Sequence, residues 1–554
     1  MGGLFWSNQE RSPGESRKPF VSFPVGTAGA AALIAILGSM PVSWCVANPT
    51  EVPRGDDTSR QAFVTAIDAL NAYDPQSPET LDARLQYADF LAKADKEDCR
   101  TRLDTAQSQL DLVRASPAVS LALPWGAARQ ADLEYQIHFA RADCGSSAAV
   151  REQELRAALD SARRAVDLYR DALDAVSMAT MQFNTSLTYR SLGDSGAAVA
   201  ALQATLAMDR EYGFVDDAEE NYRLLLEWNG EAAGPDEVAA RMQDFPDRST
   251  TLRFGWFEST ADVRLETDYS QLANGQILHL SSVRTARRQV RKSLGGWVVS
   301  YLPGDMRFDL APPPNEEPST QAFANSVSRM LLQFLDFSIA RNGDFNQSKA
   351  AFKFGARVRA DTKALTRDLG SISDRKPLTR SIDKALEAAL SQDAMEDAVA
   401  EEYNLQTGTW IGASLEQGVW YDMAVPLSLP IGLNAFVMHK IQFAYTRPVP
   451  CTADSAEAAC AEIVLRASPD PALLQTMLKI VARKSRLERG QMPRLWSVTY
   501  LRLVTDPATL QPYGLDVRHH SYWSIGAKGP NAALTESDRT VFVSGRMSRA
   551  EGAR

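Results

Sequence analysis

From Thr58 to Trp228 the apolar positions recur at three- and four-residue steps, the period of helices that each bury one face. Phe63, Ala66, Ile67 and Leu70 share one face of the first segment, and Leu81, Leu85, Ala88 and Leu91 share one face of the next. Leu103, Ala106, Leu110 and Val113 make a third stripe. The long run Ala148–Val176 repeats the theme through Leu155, Leu159, Ala162, Val166, Tyr169 and Leu173. Such stripes are core positions before they are ligand sites. The stretch ASPAVSLALPWGA (Ala115–Ala127) breaks the period with two prolines and reads as a loop packed along the helices, or as a binding lip carrying Trp125.

The pattern changes after WNGEAAGPDE (Trp228–Glu237). Residues 231–250 read as a linker and 251–550 as a β-rich domain. Val263 with Leu265, and Trp297 with Val299 and Tyr301, alternate as antiparallel strands with one wet face do. Separate strands are expected at ADVRLETDY, QILHLSS, RRQVRK, GWVVSYL and MRFDLA, and later at AFVMHKIQFAYT, AEIVLRA, RLWSVTYLRLVT, LDVRHHSYWSI and RTVFVSGRM. An apolar helix is expected from Thr320 to Ala340, placed to pack across the sheet. Further helices are expected at Arg380–Tyr403 and Pro471–Lys484. LVTDPATLQPY (Leu503–Tyr513) reads as strand, turn, strand. The fold class expected is therefore α+β and multidomain: an all-α array at residues 56–230, followed by a curved antiparallel sheet with packing helices.

The segment FNTSLTYRSLGDSGAAVAALQATLAMD (Phe183–Asp209) places Tyr189, Gly193, Ala198, Leu202 and Leu206 at telling intervals. The glycine permits a tight turn, the alanine lets two helices approach, and the larger residues fill the groove between them. Residues 179–211 resemble a tetratricopeptide (TPR) repeat, and the helix pairs before them look like degenerate copies covering roughly a third of the chain. Thr205 stands where the family carries a small alanine, and no proline closes the repeat. The resemblance implies a stacked solenoid whose concave surface binds a peptide or a partner domain. An array that only supports the second domain is the alternative.

The first residues add a destination. Arg11, Arg17 and Lys18 precede an uncharged stretch centred on AGAAALIAIL (Ala28–Leu37), which ends in SWCVA. Basic start, short apolar centre and small-residue exit mark residues 1–47 as a secretory signal. Retention of residues 20–47 as an inner-membrane anchor, and lipidation of Cys45 despite the large Trp44, are the rival readings. Export to a bacterial periplasm follows from the first of these.

Composition narrows the class. The chain has 554 residues, 45% of them hydrophobic and 23% charged, and a net charge of −10. That acidity argues against nucleic acid, which needs a basic surface to displace counterions. Beyond Cys45, the cysteines are Cys99, Cys144, Cys451 and Cys460. Four cysteines in an oxidising compartment allow three pairings, of which 99–144 with 451–460 is preferred, and buried free thiols are the alternative.

Reactive chemistry is not legible. None of His138, His279, His439, His519 and His520 has the HExxH spacing, and the adjacent His519 and His520 would point to opposite faces of a strand. The cysteines lack CxxC spacing. GASLEQG (Gly412–Gly418) echoes a nucleophile elbow, but Glu416 stands where the second glycine belongs. Asp262, Glu266 and Asp268 read as a solvated acidic strip. VRTARRQVRK (Val283–Lys292) reads as a wet strand face, or as a patch for anionic headgroups. No catalytic, metal or cofactor residue is assigned. The function expected is a non-enzymatic cell-envelope protein whose helices bind an envelope protein or peptide, with the β-rich domain as a binding module. A periplasmic carrier or assembly factor holding a lipid or other apolar ligand under the sheet is the alternative, and an envelope hydrolase with an unfamiliar site is a third reading that no residue supports.

Overall fold

A computed structural model describes residues 60–94, 98–116, 126–144, 147–231, 233–243, 249–273, 276–311, 336–346, 403–428, 436–452, 459–470, 494–524 and 533–544, with a few single positions between them. Helices come first: α1 (Arg60–Tyr73), α2 (Pro78–Lys93), α3 (Cys99–Arg114), α4 (Gly126–Ala142), α5 (Ala148–Asp171), α6 (Ala175–Ser191), α7 (Ser195–Tyr212), α8 (Val215–Asn229) and α9 (Pro235–Met242). Strands then follow from residue 249 to residue 544, so the architecture is α+β in two parts. Helix α9 lies inside the stretch 231–250 expected as a linker.

Helix starts are written locally. Ser77 accepts from the Thr80 amide at 3.2 Å, with Pro78 in the first turn. Asp98, Ser147, Asp174 and Asp194 cap α3, α5, α6 and α7 in the same way. Each cap satisfies an amide that the helix cannot, a contribution of about 1 kcal/mol. The first three expected stripes are buried: Phe63, Leu81, Leu85, Leu103, Leu110 and Val113 meet in one core with Ile137 of α4. The fourth stops short, because α5 ends at Asp171 and Leu173 stands exposed in the turn at φ +60°. A second core joins Ala131 and Tyr135 of α4 to Ala162, Val166 and Tyr169 of α5 and to Met181 of α6.

The strands are β1 (Ser249–Thr251), β2 (Ser259–Ala273), β3 (Gln276–Ser293), β4 (Gly296–Ala311), β5 (Asp336–Ala340), β6 (Phe345–Asn346), β7 (Ser414–Glu416), β8 (Trp420–Ser428), β9 (Phe436–Val449), β10 (Cys460–Pro469), β11 (Arg494–Thr505), β12 (Pro512–Ser524) and β13 (Ala533–Ser544). Two of them, β1 and β7, pair with each other. The other eleven form one antiparallel sheet in the order β6-β5-β4-β3-β2-β13-β12-β11-β10-β9-β8. Two meanders, β2 to β6 and β8 to β13, are thus sewn together by the pairing of β13 with β2, where Leu265 faces Val541.

Three sequence expectations need correction. QILHLSS and RRQVRK belong to one strand, β3, because the residues between them keep the ladder. GWVVSYL and MRFDLA likewise belong to β4, although Pro303 and Gly304 fall between them. The register shifts just beside Pro303, which keeps its place opposite Ala286, and the extra residue of the bulge falls at Gly304 and Asp305, opposite Thr285. The helix expected over Thr320–Ala340 does not reach its end: Asp336–Ala340 is strand β5, with Phe337 and Ile339 buried against Trp256 and Val299. Phe337, Ser338 and Ile339 are buried in succession, and a short buried run of this kind fits a strand as well as a helix. Residues 320–335 lie outside the described residues. So do residues 1–59, which hold the expected leader, the loop with Trp125, and most of the helices expected at 380–403 and 471–484. The turn in LVTDPATLQPY is where it was expected, between Thr505 and Pro512.

Over β9 to β12 both faces of the sheet are covered. On one face Ile441, Ile463, Leu465, Leu501, Leu503 and Leu515 pack under Leu252, Trp410 and Leu415. The alternate residues of the same strands meet the helices. Tyr522 of β12 enters the α1–α3 core and donates to Asp74 at 2.8 Å. Arg466 of β10 pairs with Asp174, at the start of α6, at 2.9 Å. Arg447 of β9 pairs with Glu211 of α7 and lies over the Tyr212 ring. Gly213 and Gly418 pack backbone to backbone, both at positive φ, and a methyl group built on Gly418 would lie 2.5 Å from the Gly213 carbonyl oxygen. Helix ends and loops therefore rest on successive strands.

Candidate functional site

The α2 sequence carries two stripes. Leu81, Leu85 and Leu91 go to the core, while Asp82, Gln86, Asp89 and Lys93 follow one another at helical steps on the next face. On α4, Arg129, Asp132 and Gln136 make a matching polar stripe. Where the two stripes face each other a cleft of about 480 Å³ opens, with Tyr169 of α5 and the apolar Phe63, Leu85, Phe90 and Leu133 completing its walls. That volume lies within the range of ordinary small-ligand sites.

Charges in the cleft are mostly paired. Arg129 forms an ion pair with Asp82, which also accepts from the Gln86 amide at 2.7 Å. Lys93 pairs with Asp89 at 2.8 Å across one turn. Asp132 differs: it accepts from Gln136 Nε2 at 3.1 Å and from the Tyr169 hydroxyl at 3.2 Å, both neutral donors. Burial pushes the Asp132 pKa above the usual carboxylate value, and these two hydrogen bonds offset only part of that. Burial likewise raises the Tyr169 pKa, reinforced by the charge of Asp132, so its proton stays on. Burial opposes charge on Arg129, but Asp82 outweighs it and holds the guanidinium protonated. Tyr500 of β11 lies within electrostatic reach of Arg129, Asp82 and Asp174, so the sheet backs this part of the array.

Among the described residues, the cleft lining is made of charged, amide, aromatic and aliphatic side chains. Its arrangement suits holding a ligand by charge and apolar contact.

The residues singled out from the sequence sit elsewhere. Gly193 turns the chain between α6 and α7 at φ +81°, with no atom within 4 Å of an added methyl group. Ala198, Leu202 and Leu206 are buried along α7, and the Tyr189 hydroxyl accepts from Arg163, whose guanidinium also lies over its ring. None of these five lines the cleft. The Cα atoms of Cys99 and Cys144 are 5.9 Å apart and those of Cys451 and Cys460 are 5.0 Å apart, separations compatible with two disulfides. Ser414 lies on β7 and meets Thr251 at 3.1 Å, in a strand and not an elbow. His138 bonds to Glu154 at 2.6 Å, and His279 to Ser270 at 2.6 Å. His519 bonds to Thr499 at 2.8 Å, and burial lowers its pKa to about 4. Among the described residues no cluster of three His, Cys, Asp or Glu side chains could hold a metal. In the basic run, Arg287 pairs with Asp262 at 2.9 Å, whereas Arg288 is buried beneath Trp256 and donates to the Pro512 carbonyl at 3.3 Å.

Comparison with known proteins adds little to this geometry. No family model and no curated protein matches the chain. Among solved structures, the chain is similar to a lipovitellin structure concerned with lipid–protein interactions, at 9% identity and a TM-score of 0.27. The match covers 55% of this chain but only 27% of that one, and a likeness so remote transfers neither fold nor ligand. The cleft must be read from its own chemistry.

Proposed function

We propose that the protein is a non-enzymatic interaction protein of the cell envelope, whose TPR-like helical array holds a segment of a partner protein in the cleft between α2 and α4. The supporting observation is the cleft itself: paired charges and aromatic rings side by side on the inner stripes of stacked helices. Mixed walls of this kind suit a peptide, which offers apolar side chains and polar groups together. The sheet serves as the platform that fixes the helix ends, through Tyr522, Arg466 and Arg447.

A photo-crosslinking side chain at Lys93, compared with one at Leu112 on the outer surface, tests this reading. The expected result is a defined protein adduct from Lys93 alone, abolished when Asp89→Trp fills the cleft. Adducts that contain lipid would favour the carrier of an apolar ligand. Equal labelling from both positions would overturn the cleft as the binding site.

A further inference from the structure

We propose that this cleft is a receptor for a primary ammonium group on an aliphatic stem, the chemistry of a lysine side chain or of a free alkylamine. The proposal rests on the cleft being a binding site, as above, and names what it recognises.

Asp132 and Gln136 stand one turn apart on α4, both facing the cleft. Arg129 and Lys93 already have carboxylate partners in Asp82 and Asp89. Among the described residues no cation forms an ion pair with Asp132, whose hydrogen bonds come from Gln136 and Tyr169; Lys93 acts on it only at a distance, opposed by Asp89. Gln136 turns its Nε2 to Asp132, which leaves its Oε1 buried and without a hydrogen-bond partner. A carboxylate short of a cation beside an amide oxygen short of a donor is an acceptor set awaiting donors.

An anion is disfavoured there, since both groups only accept in that direction. A guanidinium is a poorer fit than an ammonium. Its flat fork needs both carboxylate oxygens along one edge, and Gln136 and Tyr169 each occupy one oxygen of Asp132. An ammonium carries three donors about a single point and uses whichever lone pairs remain. Phe63, Leu85, Phe90 and Leu133 give the stem an apolar wall.

The test uses the full chain and three pools of capped hexapeptides with randomised flanks, differing only in one fixed residue: lysine, acetyl-lysine or norleucine. Lysine peptides are expected to bind about tenfold or more tightly than the other two, the worth of a hydrogen-bonded charge. Asp132→Asn and Gln136→Met are each expected to erase that preference while norleucine peptides bind as before. Thermal melts check that both variants fold, and if one fails the other decides. Pentylamine that competes with the lysine pool would assign recognition to the amine itself, and pentylamine that binds where no peptide does would assign the site to a small amine. Equal binding of the three pools would overturn the ammonium receptor while leaving partner binding intact. Failure of every pool and of pentylamine, with the Lys93 crosslink still formed, would do the same.

Discussion

Tyr522 donates a hydrogen bond of 2.8 Å to Asp74, a residue 448 positions earlier in the chain. Both are buried, and the Asp74 carboxylate also accepts from the Gln76 amide at 2.9 Å. Tyr522→Phe keeps the ring in the helical core but removes one donor from a buried carboxylate. A loss of about 1–3 kcal/mol is expected in urea unfolding followed by tryptophan fluorescence. A loss near zero would mean that water replaces the hydroxyl.

Gly418 and Gly193 both lie at positive φ, yet only one has a neighbour. A methyl group on Gly418 strikes the Gly213 backbone, and one on Gly193 meets nothing within 4 Å. Gly193→Ala should therefore cost only the conformational penalty of about 1–2 kcal/mol. Gly418→Ala should cost more, by about 1–3 kcal/mol of overpacking, because the helices must lift from the sheet. Limited proteolysis between residues 243 and 259 reports that separation.

If the two cysteine pairs are bonded, their loops predict unequal contributions. The Cys99–Cys144 loop spans 45 residues and the Cys451–Cys460 loop nine. Chain entropy assigns the first about 4 kcal/mol and the second about 2.6 kcal/mol. Replacing Cys144 by serine should thus lower the melting temperature more than replacing Cys460. Intact mass of the untreated and reduced chain establishes whether the bonds are present.

Two carboxylates pull stability in opposite directions with pH. Burial alone would raise the Glu462 pKa, but Arg502, Arg447 and Thr446 hold it below the usual value. Its contribution is complete above the ordinary carboxylate range and is lost as pH falls through the depressed folded value. Glu462→Gln should flatten the acid limb of a melting curve between about pH 5 and pH 2. Asp209 behaves oppositely: burial raises its pKa to about 7, outweighing the hydrogen bond from Asn221. The folded state then holds a proton that the unfolded chain releases from about pH 4, so stability declines as pH climbs to about 7. Asp209→Asn should gain on the order of 2–4 kcal/mol at pH 8 and little at pH 4.

Much of the fold was readable because local period and tertiary role agree. Leu103, Leu110 and Val113 lie on one helical face and go to one core. The polar cleft was not readable, and α4 shows why. Ala131, Leu133, Tyr135 and Ile137 are all buried, two in each of two neighbouring cores, so the burial of a central helix alternates as a strand's does. Asp132 and Gln136 stand between those positions and look like ordinary wet residues. Only the approach of α2 turns them into a wall. The pairing of β13 with β2 was equally hidden, since no local signal links residues so far apart.

That central seam governs how the molecule must assemble. Helices α1 to α8 pack mostly on their near neighbours and can begin to form as the chain emerges, but β2 waits for β13 before its second edge is satisfied. Until then each half-sheet offers a long naked border to any other strand, including that of a sister molecule. Newly made chains should therefore be most vulnerable to clumping just before residues 533–544 dock, and escort by a holding chaperone would matter most in that interval.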